Sequence, residues 1–345
     1  QPFSFYINDD STTNDVYCTV AGNNANSGLT PEAPMADFNA LLAKYDLDSS
    51  VNGGDVVYID TGVYRGVPPW RITQTDSAGD VSLPPVVFQG VPRTSTGRTI
   101  LDRSFAAEGI TMEYVIGVEL RDLVVSNTID KAVTIKNSLM VTAEDMTVEA
   151  GNLAFSLENG AGLRLSRCLV LDCVQAASIA TPASLPVGLA APLLEHNVFW
   201  QPSSDAIVLQ GAAVVRNNIF ASAPGQYVYL LNSSSNLVSD YNAFWRGSGG
   251  RICRQIQPSY ISPVPLVYET VGHWAAATGQ DRHSFDGNPL LADPLNRDFH
   301  LQSQAGRFLP SGGWTNDALS SPLIDAGWPQ SEAWSSEPDP NGGWV

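Results

Sequence analysis

Between residues 115 and 246 the chain repeats one phrase, a polar residue followed by two or three apolar ones. It reads Asp122-Leu123-Val124-Val125, Asp145-Met146-Thr147-Val148, Cys168-Leu169-Val170-Leu171, Asn197-Val198-Phe199-Trp200, Asn218-Ile219-Phe220-Ala221 and Asn242-Ala243-Phe244-Trp245. With the polar residue as anchor, the steps are 23, 23, 29, 21 and 24 residues, the period of a solenoid coil. Short apolar segments between Asn, Gly, Asp or Ser corners read as strands. Each coil leaves an apolar face that only a neighbouring coil buries, so the repeat predicts stacking. The 29-residue step carries Thr181-Pro182-Ala183-Ser184-Leu185-Pro186 and predicts a coil with a loop extruded on one side.

Ahead of the repeats, the pattern predicts a strand at 15–20 and a polar loop at 22–28. A helix follows, opened by Pro34, with Phe38, Leu41, Leu42 and Tyr45 on one face. Such a helix covers the first exposed coil of a stack. Strands are expected at 54–62, at Val86–Gln89 and at 99–101. Beyond Arg246 the pattern loosens through Gly247-Ser248-Gly249-Gly250 and Ile261-Ser262-Pro263-Val264-Pro265. The expected organisation is a single domain over 1–335: cap and first strand at 1–53, coils at 54–246, C-terminal coils and loops at 247–335. Residues 336–345 read as a linker-like tail.

Columns follow from the period. The anchors Asn197, Asn218 and Asn242, with Asp122, Asp145 and Cys168, are expected to stack as a hydrogen-bonded ladder at a tight corner. One residue earlier lie Arg121, Glu144, Arg167, His196, Asn217 and Tyr241, a strip expected to face solvent. It reads either as a surface charge ladder or as a polysaccharide-binding or catalytic strip, in which Arg167, His196 and Glu144 are the catalytic candidates. Phe199, Phe220 and Phe244 form an inward stack, and alternation then sends Trp200 and Trp245 outward, where indole faces can stack on sugar rings.

Composition narrows the partners. A formal net charge of −17, with only three lysines (44, 131 and 136), disfavours nucleic acid. No apolar run approaches the roughly 18 residues of a membrane span. Cys18, Cys168, Cys173 and Cys253 lack metal-site spacing and read as buried free thiols. No signal-peptide pattern opens the chain at Gln1-Pro2-Phe3, which for a secreted protein places the start after the cleavage point.

The opening Val16-Tyr17-Cys18-Thr19-Val20-Ala21-Gly22-Asn23-Asn24-Ala25-Asn26-Ser27-Gly28-Leu29-Thr30-Pro31 carries a resemblance, as do the strand at 54–64, the coils and the closing Ser321-Pro322-Leu323-Ile324-Asp325-Ala326-Gly327. Together they resemble the right-handed parallel β-helix superfamily typified by pectate lyases, and more narrowly secreted bacterial β-helix repeat domains embedded in large surface proteins. The resemblance implies an all-β right-handed parallel β-helix of eight to ten coils. It implies a secreted or cell-surface setting, flanking domains in the same polypeptide and a polysaccharide partner. Fold alone leaves activity open.

Lyases of this fold take a proton with Arg or Lys beside a uronate and hold calcium in an acidic cluster. The matching residue types here are Lys131, Lys136, Arg164, Arg167 and Arg254 as bases, and Glu144, Asp145, Glu149 and Asp172 for calcium. A second calcium set near the cap would be Asp9, Asp10 and Asp15 with Asn23, Asn24 and Asn26. The polygalacturonase signatures are absent, the only Asp-Asp being Asp9-Asp10. Two functions remain as expectations: an extracellular module that binds polysaccharide or acts as a spacer, and a polysaccharide lyase or glycoside hydrolase working along the helix face.

Overall fold

The computed structural model describes residues 2–48, 53–257, 264–309 and 312–330. The strands stack in parallel into a β-helix with three faces. The first face is a nine-stranded sheet from Ser4–Ile7 through Val56–Ile59, Val86–Gln89 and Ile116–Arg121 to Asn236–Asp240. The other two faces belong to one sixteen-stranded sheet, because the long strands Thr99–Glu113 and Leu123–Lys136 run around the corner between them. The second face runs from Gly62–Arg65 to Phe285–Asp286, and the third from Trp70–Ile72 to Arg251–Gln255.

Alternation along each strand decides what fills the interior. Val57, Phe88, Leu120, Ala143, Leu165 and Leu194 line the first face from inside. On the second face the expected phenylalanine stack is present: ring centroids lie 4.9 Å apart for Phe199 and Phe220, and 5.6 Å for Phe220 and Phe244. That spacing follows the strand-to-strand repeat of about 4.8 Å.

The corner between the first two faces corrects one expected column. Register pairs Val124 with Thr147, Thr147 with Leu169, and Leu169 with Val198, then Ile219 and Ala243. The inner corner position is therefore Leu123, Met146, Cys168, Asn197, Asn218 and Asn242. Asp122 and Asp145 sit one residue earlier, with Arg167, His196, Asn217 and Tyr241, and all six have φ between 54° and 57°. The left-handed turn thus belongs to the residue before the ladder. The ladder itself runs one way along the axis. The Asn197 Oδ1 accepts from the Cys168 N–H (2.8 Å), Asn218 Oδ1 from Asn197 Nδ2 (3.0 Å), and Asn242 Oδ1 from Asn218 Nδ2 (3.1 Å). Asn242 Nδ2 then donates to Asp281 Oδ1 at 3.1 Å.

Both ends of the stack are closed. Helix α1, Phe38–Lys44, caps the N-terminal end; Asp37 accepts from the Ala40 N–H as its N-cap, so the helix begins later than Pro34. Phe38 stacks on Trp70 at 4.5 Å. Residues 15–20 form a loop where a strand is expected, because the N–H groups of Val16, Tyr17 and Cys18 all turn onto the Asp60 carboxylate. Helix α2, Val271–Thr278, which the pattern did not predict, buries Val271 and Trp274 against the last coils, and Trp274 donates to Asp281 at 2.9 Å. The four cysteine thiols are free and buried; burial pushes Cys168 up to about 12 and Cys173 to about 11.

After the last coil the chain turns back. The antiparallel strands Leu291–Asp293 and Asp298–Leu301 lie against the outside of the second face. Arg297 pins them by pairing with Glu149 and Asp172, each at 3.1 Å. The segment 321–328 then crosses the corner: the Trp328 N–H donates to Asn217 Oδ1 (2.8 Å), and the Arg216 guanidinium lies 3.8 Å from the Trp328 ring centroid. The expected linker-like tail at 336–345 and residues 261–263 of the Pro-rich stretch lie outside the described residues.

Candidate functional site

Register places one continuous outward column along the first face: Tyr6, Tyr58, Gln89, Arg121, Glu144, Ser166, Glu195, Arg216 and Asp240. Eight steps of about 4.8 Å give it a length of about 38 Å. Aromatic rings mark both ends. Tyr6 and Tyr58 stack at 5.4 Å, Tyr17 leans on Tyr58 at 4.9 Å, and Tyr241 stacks on His283 at 4.9 Å beside Asp240. Between the rings the column carries charge in alternating sign. Arg121 pairs with Glu119 and, at 3.6 Å, with Glu144; Arg167 reaches Glu144 at 3.0 Å. Glu195, with only 4% of its side chain exposed, bridges Arg164 (2.7 Å) and Arg216 (3.0 Å).

The expected strip is therefore two columns. Arg121 and Glu144 stand on the first face; Arg167, His196 and Tyr241 stand on the adjacent corner. Glu144, Asp145 and Arg167 converge, the last two at 2.7 Å, whereas His196 belongs to the next coil. Two carboxylates raise the proton affinity of Arg167, hydrogen bonding by Asp145 first, which makes it a poorer proton acceptor. Burial lowers the pKa of His196, whose Nε2 lies 3.4 Å from Asn217 Nδ2.

Trp200 and Trp245 do point away from the interior, yet they are not a sugar platform. They form a second apolar cluster with Leu171, Ala221 and Leu291, beneath Phe299 and Leu301 of the returning hairpin. Trp200 meets Trp245 at 5.6 Å and Phe299 at 5.5 Å. The register opposes Ala221 to both indoles, which leaves room for them to lean together.

The other base candidates are ion-paired: Lys131 with Glu158 (2.7 Å), Lys136 with Glu113 (3.3 Å), Arg164 with Glu195 and Arg254 with Asp205 (3.0 Å). The acidic quartet does not assemble, since Glu149 and Asp172 lie on the second face with Arg297 while Glu144 and Asp145 serve arginines at the corner. Near the cap, Asp9 Oδ1 accepts from the Ser11 N–H and Asp15 Oδ2 from Asn8 Nδ2 (2.7 Å), and Asp10 is exposed. Among the described residues no group of three His, Cys, Asp or Glu side chains is placed to hold a metal ion.

At the C-terminal end of the strip a cleft of about 210 Å³ opens under the returning chain. His196, Asn217 and Tyr241 line one side, Leu301, Leu323 and Ala326 the other. Sequence reasoning missed the tyrosines, Glu195 and Arg216. A signal was present: Phe5-Tyr6-Ile7 and Val57-Tyr58-Ile59 repeat an apolar-Tyr-Ile phrase in the first two strands.

A family model described as "Disaggregatase related" matches residues 175–327. No curated protein matches the chain. Among solved structures, one titled as the crystal structure of pectate lyase Pel9A is 14% identical, with a TM-score of 0.50, covering 96% of this chain and 94% of that one. A rhamnogalacturonan lyase is 16% identical with a TM-score of 0.47 over 78% of this chain; the match spans 65% of that protein's length. A Geobacillus virus E2 protein, ORF18, reaches a TM-score of 0.30 at 10% identity, covering 61% of this chain and 55% of its own. The chain is a pectate-lyase-like parallel β-helix, and at these identities the likeness to solved structures concerns the fold alone.

Proposed function

We propose that the chain is a polysaccharide-binding β-helix module of a secreted or cell-surface protein, and that it binds along the outward column of the first face. The observation that carries this reading is the column itself: rings at both ends and, between them, guanidinium and carboxylate groups fixed in one line by their mutual pairs. Planar charged groups held in place offer paired donors and acceptors to sugar hydroxyls, and the tyrosines offer flat apolar faces to sugar rings. Because the strip's arginines are matched by carboxylates, it suits a neutral or weakly charged glycan better than a polyanion. The name of the partial family match and the polysaccharide-lyase names of the fold neighbours are consistent with a glycan partner without specifying one.

Binding without turnover follows from the state of Arg167, which two carboxylates hold protonated. The test is a titration of the protein against a panel of neutral and uronate polysaccharides, with a parallel assay for unsaturated or reducing ends. Saturable binding weakened by Tyr58→Ala and Arg121→Ala is the expected outcome. Release of new ends that Arg167→Ala abolishes would overturn the non-catalytic reading, and failure to bind any polysaccharide would leave a spacer role.

A further inference from the structure

The cleft at the C-terminal end of the strip has a definite cause in the sequence. On the outside of the second face, register lines up Val198, Ile219, Ala243 and Phe285. The step from Ile219 down to Ala243 removes most of a side chain from that column, and the segment 321–328 bridges the hollow, anchored by Trp328 to Asn217 and Arg216. The space left is about 210 Å³, or roughly seven waters at about 30 Å³ each, the size of a single sugar ring and too small for two.

Its two walls differ in chemistry. Val198, Ile219, Ala243, Leu301 and Leu323 make one wall apolar, while His196, Asn217 and Tyr241 place polar side chains along the corner. A pocket that is mostly apolar with a few converging polar groups is the usual form of a small-ligand site. The nearest full charges, Glu195 and Arg216, are already paired at 3.0 Å, so no charge is left to be neutralised by a ligand. From this geometry we infer that the cleft is a subsite for one neutral pyranose ring, its C–H face on the aliphatic wall and its hydroxyls toward His196, Asn217 and Tyr241. The inference rests on the polysaccharide reading above and gives the strip an end: the glycan's terminal residue sits in the cleft while the chain runs toward Arg121. Burial lowers the pKa of His196, in keeping with a pocket that holds uncharged groups.

The test uses ligand-observed NMR on the whole chain with the methyl glycosides of glucose, galactose and mannose, and with the corresponding uronates as controls. At least one neutral glycoside is expected to bind saturably, and the uronates more weakly. Ala243→Ile, which refills the hollow from the sheet side, is expected to weaken that binding by about tenfold or more, a loss of roughly 1.4 kcal/mol. Leu323→Ala, on the half-buried returning segment, removes part of the apolar wall without touching the coils and is expected to weaken it too. The inference fails if no neutral glycoside binds, if the uronates bind better, or if a folded Ala243→Ile protein binds as the wild type does. Arg121→Ala separates the two proposals: it is expected to reduce polysaccharide binding and leave the monosaccharide untouched. Polymer binding without monosaccharide binding would therefore sink the subsite alone.

Discussion

Two outward columns of the same coils met opposite fates. On the first face, Arg121, Glu144, Glu195 and Arg216 keep one another in pairs, and the arginines retain contact with water. On the second face, Leu171, Trp200, Ala221 and Trp245 point outward just as much, yet the returning hairpin buries them under Phe299 and Leu301. The difference lies in residue type: an apolar outward column recruits a covering layer from elsewhere in the chain, whereas an ion-paired column satisfies itself. Direction relative to the coil therefore says little about exposure until the path of the chain after the last coil is known.

The comparison is broken most severely at Trp200. If it is core, Trp200→Ala should cost about 3–5 kcal/mol, read from urea unfolding, and should make the segment 285–328 more sensitive to protease; a loss below about 1 kcal/mol would return the indole to the surface. Glu195 tests whether the first face is as self-contained as its pairing suggests. Glu195→Gln leaves Arg164 and Arg216 without their shared carboxylate and should cost about 2–3 kcal/mol, at or below the range for fully buried pairs because both arginines reach water. An unchanged unfolding midpoint would mean that solvent screens these charges.

Arg121→Ala, on the exposed part of the same ladder, should move stability by no more than about 1 kcal/mol while lowering polysaccharide affinity in calorimetric titration. A stability loss like that of Trp200→Ala would mark the ladder as a structural seam. The smallest effect is expected at the corner. His196 has its pKa lowered by burial, so on acidification the unfolded chain takes up a proton near pH 6.5 before the native chain does, and stability falls as pH drops through that window. The loss is a fraction of the roughly 1.4 kcal/mol that a tenfold change in proton affinity carries. Melting curves at pH 7.5 and 5.5 should differ less for His196→Gln than for the wild type.

The period of the repeats made the fold legible, since strands that recur every 21 to 24 residues with apolar alternation have few other ways to be buried. The site was less legible, for a local reason. In the first two repeats the inner corner position is filled by Leu123 and Met146, so the polar residue before it, Asp122 or Asp145, resembled the later asparagines while occupying the left-handed turn ahead of them. A one-residue slip exchanges inside for outside, and it merged Arg121 and Glu144 with residues of the neighbouring corner. Trp200 and Trp245 were placed on the correct side of the sheet. Their cover comes from Phe299 and Leu301, about 55 to 100 residues later, and no pattern within the repeats reports it. The arginine and glutamate pairs depend on side-chain reach across strands, which periodicity alone does not encode.

The asparagine ladder has one more consequence. Each amide turns its oxygen toward the preceding coil and its NH₂ toward the following one, so the three side-chain dipoles add head to tail along the axis. Their positive end meets the carboxylate of Asp281, which also holds Trp274 of the closing helix. The interior of the stack is thus polarised, and hydrogen bonds joined in this way reinforce one another. A stack with an arrow has a proper last step: a further coil placed after Asn242 would separate the ladder from its counter-charge, so the same acid that ties down the closing helix also marks where the column of coils stops.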